Sequence, residues 1–146
     1  YELDITKLSE KDLAAIPQQI ALYHKYNDLI RRGDYVRIAS YRENHLYDCY
    51  AVISKDKSEA VVTYVQVLKV PEDRSRILRN PGLDPDREYA VIVDRTSDIM
   101  PEEDPTMTLP VGPRVRMRGD ALMYAGLPMP NFRGDFRSAL IYLSEI

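Results

Sequence analysis

The chain has 146 residues and a formal net charge of −3, with a pI near 5.4, so one domain can bury a core without help from disulfides or metals. Its Lys and Arg residues are scattered, which excludes nucleic acid and anionic membrane as expected partners. Cys49 is the single cysteine and cannot close an internal disulfide. No run is apolar and long enough to span a bilayer and no signal peptide stands at Tyr1, so a cytoplasmic location is expected. The chain opens without Met, as a piece of a larger protein would.

In chain order, Ser9-x-x-Asp12 resembles a capping box, and Gly33 follows the cationic pair Arg31-Arg32. A helix is therefore expected within residues 9 to 32, with Gly33 as its C′ glycine. Pro17 falls inside that window and cannot donate an N–H, which predicts a kink there, or a short first helix with Pro17 near the start of a second. At roughly 100° per residue, Ile16, Ile20, Tyr23 and Ile30 share a face with Leu22, Tyr26 and Leu29 beside them. The resulting apolar arc spans roughly 200°, wider than a surface helix needs, and predicts contact with two bodies.

From Asp34 the period changes, and residues 35–40 read as a strand entering straight from the helix cap. Arg42-Glu43-Asn44-His45 reads as a polar connection. Residues 46–53 and 60–68, rich in Val, Ile, Tyr and Thr and separated by the charged loop 54–59, predict an antiparallel hairpin. Neither run alternates cleanly, so both faces are expected to be covered, as in central strands of a sandwich. Residues 76–79 predict a short strand. In the turn 82–86, Gly82 allows positive φ and Asp84-Pro85 presets the bend. Residues 88–94 alternate around Tyr89, Val91 and Val93. Residues 95–118 contain Pro101, Pro105, Pro110 and Pro113, and predict a long surface loop with short strand pieces such as 114–117. Residues 121–124 and 136–143 predict two more strands, with Pro128, Pro130 and Gly134 between them. About seven strands behind one helical segment, with no second helix for βαβ crossovers, give an all-β class: an antiparallel β-sandwich of Greek-key type preceded by an N-terminal α-helical segment.

Few residues suggest chemistry. His24 and His45 are far apart and lack ligand spacing, which favours surface histidines. Cys49 lies in a central strand, where a thiol behaves as a small inert hydrophobe. Paired carboxylates could serve glycoside hydrolysis, but Glu102-Glu103-Asp104 sits in the proline-rich loop and Asp84 and Asp86 flank a turn proline, settings of solvated or turn-forming acids. The 11 tyrosines could stack on sugars. Tyr23, Tyr26, Tyr35, Tyr47, Tyr50 and Tyr64 nevertheless fall on predicted helix or strand faces, where packing is the expected role. There is no phosphate loop and no nucleophile elbow.

Five blocks carry a family resemblance: Tyr23-His24-Lys25-Tyr26-Asn27-Asp28-Leu29-Ile30-Arg31-Arg32-Gly33-Asp34-Tyr35; Ser54-Lys55-Asp56-Lys57-Ser58-Glu59-Ala60-Val61-Val62; Gly82-Leu83-Asp84-Pro85-Asp86-Arg87-Glu88-Tyr89; Gly119-Asp120-Ala121-Leu122-Met123 with Gly126-Leu127; and Gly134-Asp135-Phe136-Arg137-Ser138 with Leu140. In this order they resemble the C-terminal part of α-galactosidases of glycoside hydrolase family 36. The resemblance implies a parent with an N-terminal β domain, a central (β/α)8 barrel and a C-terminal antiparallel β-sandwich. Residues 1–33 would be the last barrel helix and 34–146 the sandwich. In the family, two barrel aspartates act as nucleophile and acid/base to release terminal α-linked galactose from sugars such as melibiose and raffinose. Neither has a matching motif here, so no catalytic, cofactor-binding or metal residue is expected in this chain. Its implied partner is the barrel, which it braces; the α-galactoside is the parent's substrate, and a homo-oligomer is expected. Residues 95–118 depart from the family pattern. The alternative is a free-standing carbohydrate-binding or protein-interaction β-sandwich module, in which Tyr47, Tyr50 and Tyr64 would be exposed.

Overall fold

A computed structural model describes residues 4–71, 76–93, 115–129, 132 and 134–146. After one 3-10 turn at Ile5–Lys7, helix α1 (Glu10–Arg32) leads into strand β1 (Asp34–Ala39), and a short helix α2 (Tyr41–Asn44) turns the chain into the hairpin of β2 (Tyr47–Ile53) and β3 (Glu59–Gln66). Strands β4 (Ile77–Leu78), β5 (Glu88–Val93) and β6 (Arg116–Arg118), a π-helical turn at Ala121–Ala125, then β7 (Leu127–Pro128) and β8 (Arg137–Glu145) follow. Six strands form one antiparallel sheet in the order β1-β2-β3-β8-β5-β6, and β4 pairs with β7 in a second, two-stranded sheet.

Strand side chains alternate between faces, and the ladder registers sort the sheet into two surfaces. One carries Cys49, Ala51 and Ile53 of β2, Ala60, Val62 and Tyr64 of β3, Tyr89 and Val91 of β5, and Ala139, Ile141 and Leu143 of β8. These pack with Leu78 and Leu127 of the small sheet and with Leu83, Leu122, Met129 and Phe132 into the main core. The opposite surface presents Val52, Val61, Leu140 and Tyr142 to Leu22, Tyr26 and Leu29 of α1. Strands β2 and β3 are thus covered on both sides, which explains why neither alternates cleanly in sequence.

Polar groups at the end of β3 are satisfied internally. Gln66 is buried; its Nε2 donates to the carbonyls of Phe132 (3.2 Å) and Gly134 (2.7 Å), and its Oε1 accepts from Arg76 Nη1 (3.3 Å). Arg76 also donates to the Tyr64 hydroxyl (2.6 Å) and lies over the Tyr47 ring at 4.6 Å. In the tight connection between β2 and β3, the Asp56 carboxylate accepts from Ser54 Oγ, the Ser58 N–H and Ser58 Oγ, and these bonds, that of Ser54 foremost, hold its pKa down to about 2.

The structure departs from the sequence expectations at several elements. Residues 121–124 form not a strand but a π-helical turn, because Asp120 caps the Ala121 N–H (2.7 Å) and Gly126, at φ 83°, donates back to the Ala121 carbonyl (2.8 Å). Four apolar residues are too few to distinguish the two periods. The polar connection at 42–45 contains α2, whose end is closed by His45 at φ 58°. Pro17 lies inside one continuous helix rather than opening a second. Strand β7 was not expected, and its Pro128 sits in a two-residue pairing with β4. Most of the proline-rich stretch, residues 94–114 with its four prolines, lies outside the described residues.

Candidate interdomain surface

Helix α1 is set by its ends. Ser9 Oγ accepts from the Asp12 N–H (3.2 Å) and donates to the Asp12 carboxylate (2.6 Å), while Glu10 and Asp12 complement the positive end of the helix dipole. At the other end the Gly33 N–H donates to the Leu29 carbonyl (2.8 Å). Gly33 is extended, at φ −73° and ψ 171°, so its value is not the left-handed cap expected of a C′ glycine. A Cβ there would stand 2.6 Å from Val52 Cγ1, 2.7 Å from the Ile53 carbonyl oxygen and 2.8 Å from the Leu29 carbonyl oxygen. The absent side chain lets the helix end descend onto β2.

From that anchor α1 lies on the sheet along one edge only. Tyr26 and Leu29 are buried and Leu22 is partly so. The Tyr26 and Tyr142 rings meet at 5.4 Å, Lys25 Nζ lies 4.8 Å from the Tyr26 centroid, and the Tyr142 hydroxyl donates to Glu59 Oε2 (2.7 Å). The adjacent edge is open: Leu13 is 41% exposed, Ile20 43%, Tyr23 47% and Ile30 52%, against 3% for Tyr26. Leu13, Ile16, Ile20, Tyr23, Asn27 and Ile30 recur at alternating spacings of three and four residues, the seam of a helix that packs against another helix. Of the two edges that could have faced water, the structure opens the one with Ile16 and Ile20 and closes the one with Leu22, Tyr26 and Leu29. Leu13, three residues before Ile16, extends the open seam; the spacing was the signal that could have found it.

The other candidate residues are dispersed. His24 is exposed on α1, and His45 is exposed at the end of α2. Cys49 is fully buried, and desolvation, with the Asp48 charge beside it, pushes its thiol up to about 12, so it is a core thiol and not a nucleophile. The Asp84 carboxylate accepts from the Asp86 N–H (3.1 Å) and pairs with Arg87 (3.3 Å), and Asp86 faces Arg118 at 3.6 Å. Glu102, Glu103 and Asp104 lie outside the described residues. Among the described residues, no three His, Cys, Asp or Glu side chains gather into a metal-binding group.

The tyrosines divide. Tyr64 is fully buried and stacks on Phe132 at 6.0 Å, and Tyr47 is partly buried against Tyr64 at 5.6 Å. Tyr50 is partly buried under Tyr35, with rings 5.3 Å apart, and Arg37 lies over Tyr35 at 5.7 Å while pairing with Asp48 at 3.3 Å. These rings pack on one another, with Tyr64 wholly inside the core and Tyr35 still 54% exposed at the surface.

The model of the glycosyl hydrolase family 36 C-terminal domain matches residues 47–143. The chain is 32% identical over 146 residues to alpha-galactosidase AgaA of Geobacillus stearothermophilus, covering 100% of this chain and 17% of that protein. It is 27% identical, with the same coverage, to alpha-galactosidase Mel36A of Lactobacillus acidophilus. Among solved structures it is similar to the GH36 alpha-galactosidase AgaB of Geobacillus stearothermophilus, with a TM-score of 0.79, 34% identity, and coverage of 100% of this chain and 17% of that one. A structure of AgaA in complex with raffinose gives a TM-score of 0.80 at 31% identity and the same coverage. The chain thus spans about a sixth of the length of these relatives.

Proposed function

The chain belongs to the glycosyl hydrolase family 36 C-terminal domain family, and from that premise we propose that it is the non-catalytic C-terminal part of a retaining α-galactosidase, whose barrel it caps and braces. On this reading the parent releases terminal α-linked galactose from oligosaccharides such as raffinose and melibiose. Residues 1–33 carry the last barrel helix and residues 34–146 the sandwich. The catalytic carboxylates belong to the remaining part of the parent. Cytoplasmic location and homo-oligomeric assembly are parts of the same proposal; the free, buried Cys49 thiol suits a reducing compartment.

The observation that carries the reading is the two-edged helix. Burying a large aliphatic or aromatic side chain is worth roughly 1.5 to 3 kcal/mol, and α1 recovers this for Tyr26 and Leu29 while leaving Leu13, Ile20, Tyr23 and Ile30 half in water. A row of this kind at helix-packing spacing fits a neighbouring helix. The module reading is less well supported, because Tyr64 is in the core and Tyr47 and Tyr50 are engaged by their neighbours.

The test is to express the remainder of the parent and this chain as separate polypeptides in one cell. They are expected to copurify and restore hydrolysis of a chromogenic α-galactoside, and the pair Ile20→Glu and Ile30→Glu is expected to abolish both. A remainder that is fully active alone and ignores this chain would overturn the proposal.

A further inference from the structure

Phe136 occupies the left-handed region at φ 54° and is 76% exposed. A bulky side chain there crowds its own backbone, a conformation that glycine or asparagine adopts far more readily. The surroundings impose it. Gln66 Nε2 holds the Gly134 carbonyl (2.7 Å), the Asp135 carboxylate accepts from the Lys69 N–H (2.7 Å), and the Phe136 N–H donates to the Val67 carbonyl (3.2 Å). Three hydrogen bonds thus fix the entry to β8 against the chain leaving β3. The neighbouring segment adds Leu68 and Val70, both exposed.

Strain persists where the surroundings over-determine it and something offsets it. Here the turn would form at lower cost with glycine, and the phenyl ring gains little burial within this chain. We propose that Phe136 is a docking knob whose ring enters an apolar socket in the remainder of the parent polypeptide, at a contact separate from the open edge of α1. The relatives carry most of their length outside the region matched here, so the surface available to receive it is large. This inference rests on the bracing reading, and supplies a second point that fixes the rotation of the sandwich about the helix.

Two substitutions separate strain from docking. Phe136→Asn relieves the backbone and removes the ring; Phe136→Ala removes the ring and keeps most of the strain. In the isolated chain, Phe136→Asn is expected to raise Tm by about 2 to 4 °C, and Phe136→Ala to leave it within about a degree. In the full-length parent both are expected to lower the Tm of the unfolding transition that includes the sandwich, Ala more than Asn, with faster amide exchange at residues 134–137. A fall in the isolated chain with Phe136→Asn would show that the ring is used internally and overturn the proposal. So would a full-length protein that gains as much Tm as the isolated chain, or, with Ile20→Glu present to prevent association through α1, a gain in the isolated chain that depends on its concentration, which would mark a second copy as the occupant. If the bracing reading itself were wrong, Ile20→Glu would leave the parent unaffected as well; if only the knob were wrong, Ile20→Glu would still weaken it.

Discussion

Gly33 and Val52 approach so closely that a methyl group added at position 33 would sit 2.6 Å from Val52 Cγ1. The contact joins the last turn of α1 to the end of β2, and two of the three atoms crowding that position are backbone carbonyl oxygens of Leu29 and Ile53, which cannot rotate away.

Gly33→Ala is therefore expected to destabilise the chain by about 1 to 3 kcal/mol, the range of an overpacked site whose neighbours must shift. Urea unfolding followed by circular dichroism measures it. An unchanged midpoint would mean that the helix end slides off β2 at little cost.

The isolated chain is expected to self-associate through the open edge of α1, most simply as a two-fold dimer in which the same seam meets itself. Light scattering over a dilution series should show the shift, and Ile20→Glu should return the chain to a monomer whose Tm no longer depends on concentration and matches that of the diluted wild type. Leu29→Glu acts on the buried edge and should unfold the helix from the sheet. A monomer at millimolar concentration would refute the dimer.

The fully buried Cys49 is expected to resist alkylation in the native state at pH 8 and to react at once in denaturant. Its folded pKa, raised to about 12 from 9.0, lies above the unfolded value, so the folded state holds the proton more tightly. The contribution of this group to stability is complete below about pH 9 and is lost as pH rises towards 12. Across that window the urea midpoint of the wild type should fall with pH more steeply than that of Cys49→Ala; equal slopes would show that this thiol is not the source.

No hydrolysis of a chromogenic α-galactoside is expected from the isolated chain, because the two-carboxylate site of a retaining glycosidase lies in the proposed barrel. Turnover that survives repurification and disappears on mutating one acid of this chain would contradict it.

Much of this architecture was legible because local and global signals agree. Ser9 at the helix start, the Val- and Ile-rich hairpin and the turn at Gly82 each state their conformation within a few residues. The wide arc of α1 predicts two partners, of which the structure shows its own sheet, and periodicity alone could not say which edge that sheet would take. What stayed hidden depends on neighbours distant in sequence. Gly33 resembles any C′ glycine until β2 is placed beneath it, and Phe136 looks like the first residue of a strand until Gln66, Val67 and Lys69 fix the chain around it. The π-helical turn at Ala121–Ala125 is too short to declare its period, and it follows from the Asp120 cap and Gly126.

Among the described residues, strand β8 alone links the β1-β2-β3 half of the large sheet to β5 and β6. A ribosome delivers residues 137–145 after both halves, so the inner edges of β3 and β5 must wait unpaired, with apolar residues on both surfaces of the waiting strands. Closing the sheet then requires pairing over a long stretch of sequence, which slows folding. The same wait exposes edges that another nascent chain could pair with, so yield during synthesis should depend more on the speed of that one insertion than on the stability of the finished sheet.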